Sequence, residues 1–219
     1  MNFSKSGHQL IRRSSAEYPP ILKEIYDPPA LLFVKGNWRP WEERPWVAVV
    51  GARKATEFGK KITKEIVTEL CKRGVGIVSG LAYGIDASAH KAAVEAGGVT
   101  WGVLGSGIDV VYPKRHSQLA EEMTINGGTL SEFPLGTSPE PWHFPQRNRI
   151  ISGLSQAVII VQANFKSGSL ITAHFALEQG RDVFVVPPPD DHVAYEGNKK
   201  LLEEGATPLE SGEQICQSL

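Results

Sequence analysis

Cysteine is scarce in this chain. Cys71 and Cys216 are its only two, far apart and in no CxxC or His-Cys cluster. That excludes a disulfide framework and a structural zinc site, and leaves each cysteine as a small apolar residue. Net charge is scarce too: 23 Lys and Arg oppose 24 Asp and Glu, for a formal charge of -1. A strongly basic composition announces a nucleic-acid partner, so any anion site here is a local patch. Long apolar runs are missing, and the N-terminus carries no signal-peptide core. The expectation is a soluble, cytoplasmic protein without a membrane partner.

Enzyme signatures are also missing. The sequence has no GxSxG elbow and no HExxH. "KSGSLIT" is not a P-loop. "GSGIDV" lacks the third glycine and the acidic residue of a dinucleotide fingerprint. Ser79, Ser106 and Ser169 have no base beside them in sequence. Asp86 and His90 stand four apart on one expected helix, either as a pair or with Asp86 capping that helix. No catalytic residue, metal or cofactor is expected.

What is present is a pattern. From Trp46 onward short apolar runs alternate with amphipathic ones. "WVAVVGAR", "VGIVSG", "VTWGVLGSG", "TLSEF", "SQAVIIVQA" and "RDVFVVPPP" read as strands. "GKKITKEIVTELCKRG", "GIDASAHKAAVEAGG", "KRHSQLAEEMTINGG", "RNRIISGL", "SGSLITAHFALEQG" and "EGNKKLLEEGA" read as helices. Strands apolar throughout imply a mostly parallel sheet covered on both faces, hence an α/β, doubly wound fold over residues 46–219. Residues 1–45 are rich in Pro and Trp. They read as an extended segment packing on the core, with "ALLFVKG" its one expected strand.

Ligands of such sheets bind outside the carboxyl ends of the strands, near the reversal of strand order. Four of the five turns there combine Gly with Ser or Thr, which lets backbone amides approach an anion. Cations stand at the same turns: Arg53 and Lys54, Lys114 and Arg115, Arg147 and Arg149, and Lys166. Lys114 and Arg115 read equally well as a solvated helix start. Arg147 and Arg149 are expected to face outward from a helix that "IISGL" anchors in the core. One of them touches phosphate and one is tied to the protein, with Glu132 as a partner.

Six blocks carry a resemblance: "YPPILKEIYDPPALLFVKGN", "VAVVGARKAT", "IVSGLAYGIDASAH", "GVLGSGIDVVYP", "GTLSEFPLGTSPEPWHFPQRNRIISGLS" and "SGSLITAHFALEQGRDVFVVP". In this order and spacing, over about residues 18 to 209, the chain resembles the DNA-processing protein A (DprA/Smf) family of natural transformation. The resemblance implies an extended Rossmann-like core without catalytic activity. It implies a homodimer that binds single-stranded DNA, protects incoming strands and helps load RecA recombinase. Carried over, the DNA site comprises Arg53, Ser79, Gly80, the loop Gly105-Ser106-Gly107, Arg147-Asn148-Arg149, Lys166, Ser167-Gly168-Ser169 and Thr172. Phe144 is the candidate for stacking on a base.

The chain departs from the family's pattern in places. Residues 1–17 are too few for the helical domain that many members carry before the core, and no winged helix fits after the last strand. Pro188 stands where Pro-Gly is usual, with Asp190 and Asp191 adding negative charge at that rim. Gln162 replaces a commonly acidic residue. The rival reading is a nucleotide-binding enzyme, a phosphoribohydrolase of the LOG type. Its PGGxGTxxE loop finds only Ile171, Thr172 and Ala173 here, with Glu178 on the wrong turn.

Overall fold

The computed structural model describes residues 7–39, 41–189 and 192–219. Asp190 and Asp191 lie outside the described residues.

The centre of the sheet is a run of parallel strands: β3 (Trp46–Val50), β4 (Gly76–Ser79), β5 (Thr100–Val103), β6 (Gly128–Ser131), β7 (Ala157–Ile160) and β8 (Asp182–Val185). All but Asp182 of these residues are buried, which accounts for their unbroken apolar character. Successive side chains of β3 enter opposite cores, as a pleat of period two requires. Trp46, Ala48 and Val50 join Trp101, Ile150 and Leu22 on one face. Val47 and Val49 join Ile66, Leu70 and Ala89 on the other.

The N-terminal segment does more than wrap the core. β2 (Leu31–Gly36) pairs antiparallel with β6, and β1 (His8–Arg12), which was not foreseen, pairs antiparallel with β2. β9 (Thr207–Pro208) completes the order β1-β2-β6-β5-β4-β3-β7-β8-β9 among the described residues. The short helix α1 (Pro20–Lys23) buries Leu22. Tyr18 is fully buried and donates its hydroxyl to the carbonyl of Pro29 at 2.8 Å. Trp41 stacks on Trp46 with centroids 4.0 Å apart and donates Nε1–H to the carbonyl of Leu154 at 3.1 Å. Those aromatic anchors give the Pro-rich stretch its place.

The sheet is covered by α2 (Glu57–Lys72), α3 (Ile85–Glu95), α4 (Ser117–Met123), α5 (His143–Gly153), α6 (Ser169–Glu178), α7 (Glu196–Glu203) and α8 (Gly212–Ser218). Helix α5 begins at His143, four residues ahead of the expected start at Arg147. Pro145 reads as a break in the sequence, yet a first-turn proline removes an N–H that has no helical partner anyway. No helix among the described residues is long and apolar enough to cross a membrane.

Candidate nucleic-acid interface

Strand order runs outward from β3 through β4 to one side and through β7 to the other. The loops leaving β3 and β7 therefore part at this point and open a crevice. A cleft of about 450 Å³ lies there, lined by Arg53 and Lys54 after β3, by Lys166 to Ser169 after β7, and by Phe144, Arg147 and Asn148 of α5. Thr172 and Asn164 also line it.

Of the expected cations, Arg53, Lys54 and Lys166 are exposed. None of the three has a carboxylate partner among the described residues. The guanidinium of Arg53 lies over the ring of Phe144, 5.4 Å from its centroid. The same ring sits against Gly105, where a methyl group would come within 2.9 Å of it, so a side chain at Gly105 would force the Phe144 ring to shift. His143 donates Nδ1–H to the Gly105 carbonyl at 3.1 Å and ties α5 to the same loop. Tyr112, not singled out in the sequence, stands with its ring 5.7 Å from Phe144.

The two arginines of "RNR" do not face outward. Arg147 is only 3% exposed. It donates to the carbonyl of Gly80 at 2.6 Å and to that of Val103, joining the carboxyl ends of β4 and β5 from beneath. The buried carboxylate of Asp86, which accepts from the backbone N–H of Ala82 at 3.3 Å, faces it. A methyl on Gly80 would lie 2.6 Å from each of these two charged groups, so only glycine fits between them. Burial pushes the Asp86 carboxyl up, against the pull of Arg147, and pushes the Arg147 guanidinium down to about 10, against the pull of Asp86. Arg149 is clamped by Glu132 through two bonds of 2.6 and 2.7 Å and by Asp27 at 3.1 Å. Burial lowers its proton affinity, but Glu132 and Asp27 together raise it above the usual arginine value. Two cations separated by one residue thus serve as internal ties, because planar guanidinium forks match carbonyl pairs and carboxylates.

Of the other expected residues, Asn148, Ser167, Gly168, Ser169 and Thr172 line the cleft, whereas Ser79, Gly80, Gly105, Ser106 and Gly107 do not. Ser79 is fully buried and donates to the carbonyl of Val49 at 2.6 Å. Ser106 is 1% exposed and donates to the carbonyl of Val110 at 2.7 Å. The N–H of Gly107 bonds the carbonyl of Thr137 at 3.0 Å. Asn148 donates to the carbonyl of Gly168 at 3.2 Å and fixes the loop that opens α6. The hydroxyls of Ser167 and Ser169 bond each other at 2.7 Å at that helix start, where Ser167 Oγ also accepts from the Ser169 N–H at 3.4 Å and the helix dipole favours an anion.

Gln162 also has a structural account. Its Oε1 accepts from the backbone N–H of Thr56 at 2.9 Å and from the Thr56 hydroxyl at 3.1 Å, at the start of α2. Those donors fix the amide's orientation and leave Nε2 buried without a partner beside the cleft. Asp86 and His90 do not pair. His90 instead contacts Thr100, with Nδ1 to Oγ1 at 2.7 Å.

Residues 9–219 match the family of DNA recombination-mediator protein A. The chain is 46% identical over 217 residues to DNA processing protein DprA of Bacillus subtilis, covering 99% of this chain and 73% of that one. It is 45% identical to protein Smf of Escherichia coli, covering 97% of this chain but 57% of that protein. The X-ray structure of DprA from Streptococcus pneumoniae superposes with a TM-score of 0.89 at 42% identity, over 98% of this chain and 76% of that one. DNA processing protein A from Helicobacter pylori, whose structure concerns its single-stranded DNA binding mode, gives a TM-score of 0.86 at 28% identity, over 96% and 94% of the two chains. With the match running over almost every residue of the sheet and of the cleft loops, the chain belongs to the DNA recombination-mediator protein A family, which is the DprA/Smf family.

Proposed function

We propose that this protein binds single-stranded DNA in the cleft between the β3 and β7 loops and acts in natural transformation and recombination. In that role it shields an incoming strand in the cytoplasm and hands it to RecA. The observation that carries the reading is the unpaired, exposed Arg53 set over the Phe144 ring at a Gly-Ser-lined anion edge. A single strand presents phosphates and unstacked bases together, and this pair offers a cation and an aromatic face at one point. Four cations and one buried carboxylate among the described lining residues favour a polyanion although the whole chain is nearly neutral. The RecA hand-off and the homodimer rest on family resemblance. Two subunits side by side would multiply the affinity of a short footprint.

The role proposed is binding rather than catalysis. Asp86 is the one carboxylate among the described cleft-lining residues, and it is buried beneath Arg147. A titration with fluorescent dT oligomers of increasing length at two salt concentrations, alongside size-exclusion chromatography, tests the reading. Binding that strengthens with length and weakens with salt supports it. Release of free adenine from AMP by the purified protein would replace it with the phosphoribohydrolase reading.

A further inference from the structure

The arrangement of an arginine over an aromatic ring occurs twice on this edge of the sheet, over the half-buried Phe144 and over the exposed Tyr83. Arg53 lies over Phe144 in the cleft. Arg115 lies over Tyr83, 5.9 Å from its ring centroid, on the loops that follow β5 and β4. Tyr83 is 40% exposed and Tyr112, beside Phe144, is 46% exposed. Single exposed apolar residues are normal on a protein surface. Here, though, Tyr112 adjoins the cleft through its 5.7 Å contact with Phe144, and Arg115, three residues on in the chain and without a carboxylate partner among the described residues, lies over Tyr83.

Tyr83 is also held in place. Its ring packs edge-on against His116, with centroids 5.1 Å apart. His116 is buried and donates Nδ1–H to the carbonyl of Leu81 at 2.9 Å. A ring fixed from behind and open in front loses little side-chain freedom when a base stacks on it.

We propose that the ligand strand does not end at the cleft but continues along the carboxyl edge over Tyr112 to Tyr83, with Arg115 neutralising a phosphate of this second segment. The inference rests on the single-strand reading and extends it to the flanking nucleotides. The chemistry is sequence-tolerant: aromatic faces for bases, one cation for the backbone, and no base-edge reader. The loops after β4 and β5 carry Tyr83, Tyr112 and Arg115 on the side of β3 away from β7, so this second segment leaves the cleft on that side.

The test uses the intact chain and labelled dT oligomers of about four and about twelve nucleotides, a short and a long footprint. Tyr83→Leu and Arg115→Gln are the clean variants, because Tyr112 touches Phe144 and its loss would disturb the cleft as well. Each variant is expected to bind the long oligomer about 5- to 10-fold more weakly and the short one within about 2-fold of wild type. Arg115→Gln also reduces the salt slope by about one, on the long oligomer only. Iodo-deoxyuridine placed at one end of the long oligomer is expected to photocrosslink to Tyr83. Wild-type affinity of both variants for the long oligomer, with no crosslink to Tyr83 or Tyr112, overturns the extension and leaves the cleft reading standing. Failure of wild type to bind either oligomer overturns both.

Discussion

The guanidinium of Arg53 rests 5.4 Å above the centre of the Phe144 ring, and the two residues reach that point from different ends of the chain. Arg53 comes from the loop after β3, and Phe144 from the first turn of α5. Their juxtaposition places a cation and an aromatic face together in the cleft, where the proposed strand would meet both.

Separating those two roles gives the first prediction. Arg53→Gln is expected to weaken dT-oligomer binding and to lower the salt slope by about one counterion. Phe144→Ala is expected to cost about 1–3 kcal/mol of binding and to leave the slope unchanged. Anisotropy titrations at several salt concentrations check both. Equal slopes for Arg53→Gln and wild type would show that Arg53 touches no phosphate.

Arg147 is predicted to act on stability. Its removal leaves the buried Asp86 charge unpaired and the carbonyls of Gly80 and Val103 without their donor. Breaking such a buried pair costs about 3–5 kcal/mol, which lowers Tm by roughly 10 °C in a chain of this size. Arg147→Met should show that fall in a thermal melt, and Asp86→Asn in the same chain should recover part of it. A melt unchanged in Arg147→Met would refute the internal tie.

Gln162→Glu is predicted to weaken strand binding. The new carboxylate keeps the two contacts to Thr56 at the start of α2, where the helix dipole favours it. It also sets a negative charge beside the cleft in place of an amide donor. Affinity for a dT oligomer is expected to fall by about tenfold, or about 1.4 kcal/mol, while the melting temperature holds. Unchanged affinity at low salt would mean that the cleft's field does not reach the strand.

His90 supplies a pH dependence. The Thr100 hydroxyl spends its proton on the carbonyl of Ile77 at 3.1 Å, so Nδ1 of His90 donates to it and Nε2 is left unprotonated and without a partner. Burial, aided by His116 and Arg147, lowers its pKa to about 3 from the ordinary 6.5. The unfolded chain takes up the proton first as pH falls, so stability is full above about 6.5 and declines towards 3. At pH 5 the loss from this one group is about 2 kcal/mol, at about 1.4 kcal/mol per pH unit. Denaturant melts at pH 7 and pH 5 should show it, and His90→Leu should flatten the difference. An equal drop in that variant would assign the acid sensitivity elsewhere.

Much of this was written locally. Continuous apolar strands separated by amphipathic helices announced a parallel sheet, because a strand buried on both faces has no solvent side to make polar. Glycine and serine at the strand ends announced where a ligand approaches, since only small residues let backbone amides come close. The polar-apolar alternation of "HQLIR" is too short to separate an edge strand from a loop, and β1 exists because β2 offers it a free edge.

The fates of the arginines were not written locally. Arg147 and Arg149 share one helix and one chemistry, and nothing within "RNR" distinguishes them from Arg53. The sequence does offer Glu132 as a partner for one of the pair. That the other descends to Gly80, Val103 and Asp86 follows from where β4, β5 and α3 end in space. The sequence by itself determined the layers of the sheet and the Gly-Ser-lined edge that carries the cleft, because periodicity and turn chemistry are local. Only the tertiary structure decided which cations that edge keeps for a ligand, because burial and charge pairing depend on residues distant in the chain.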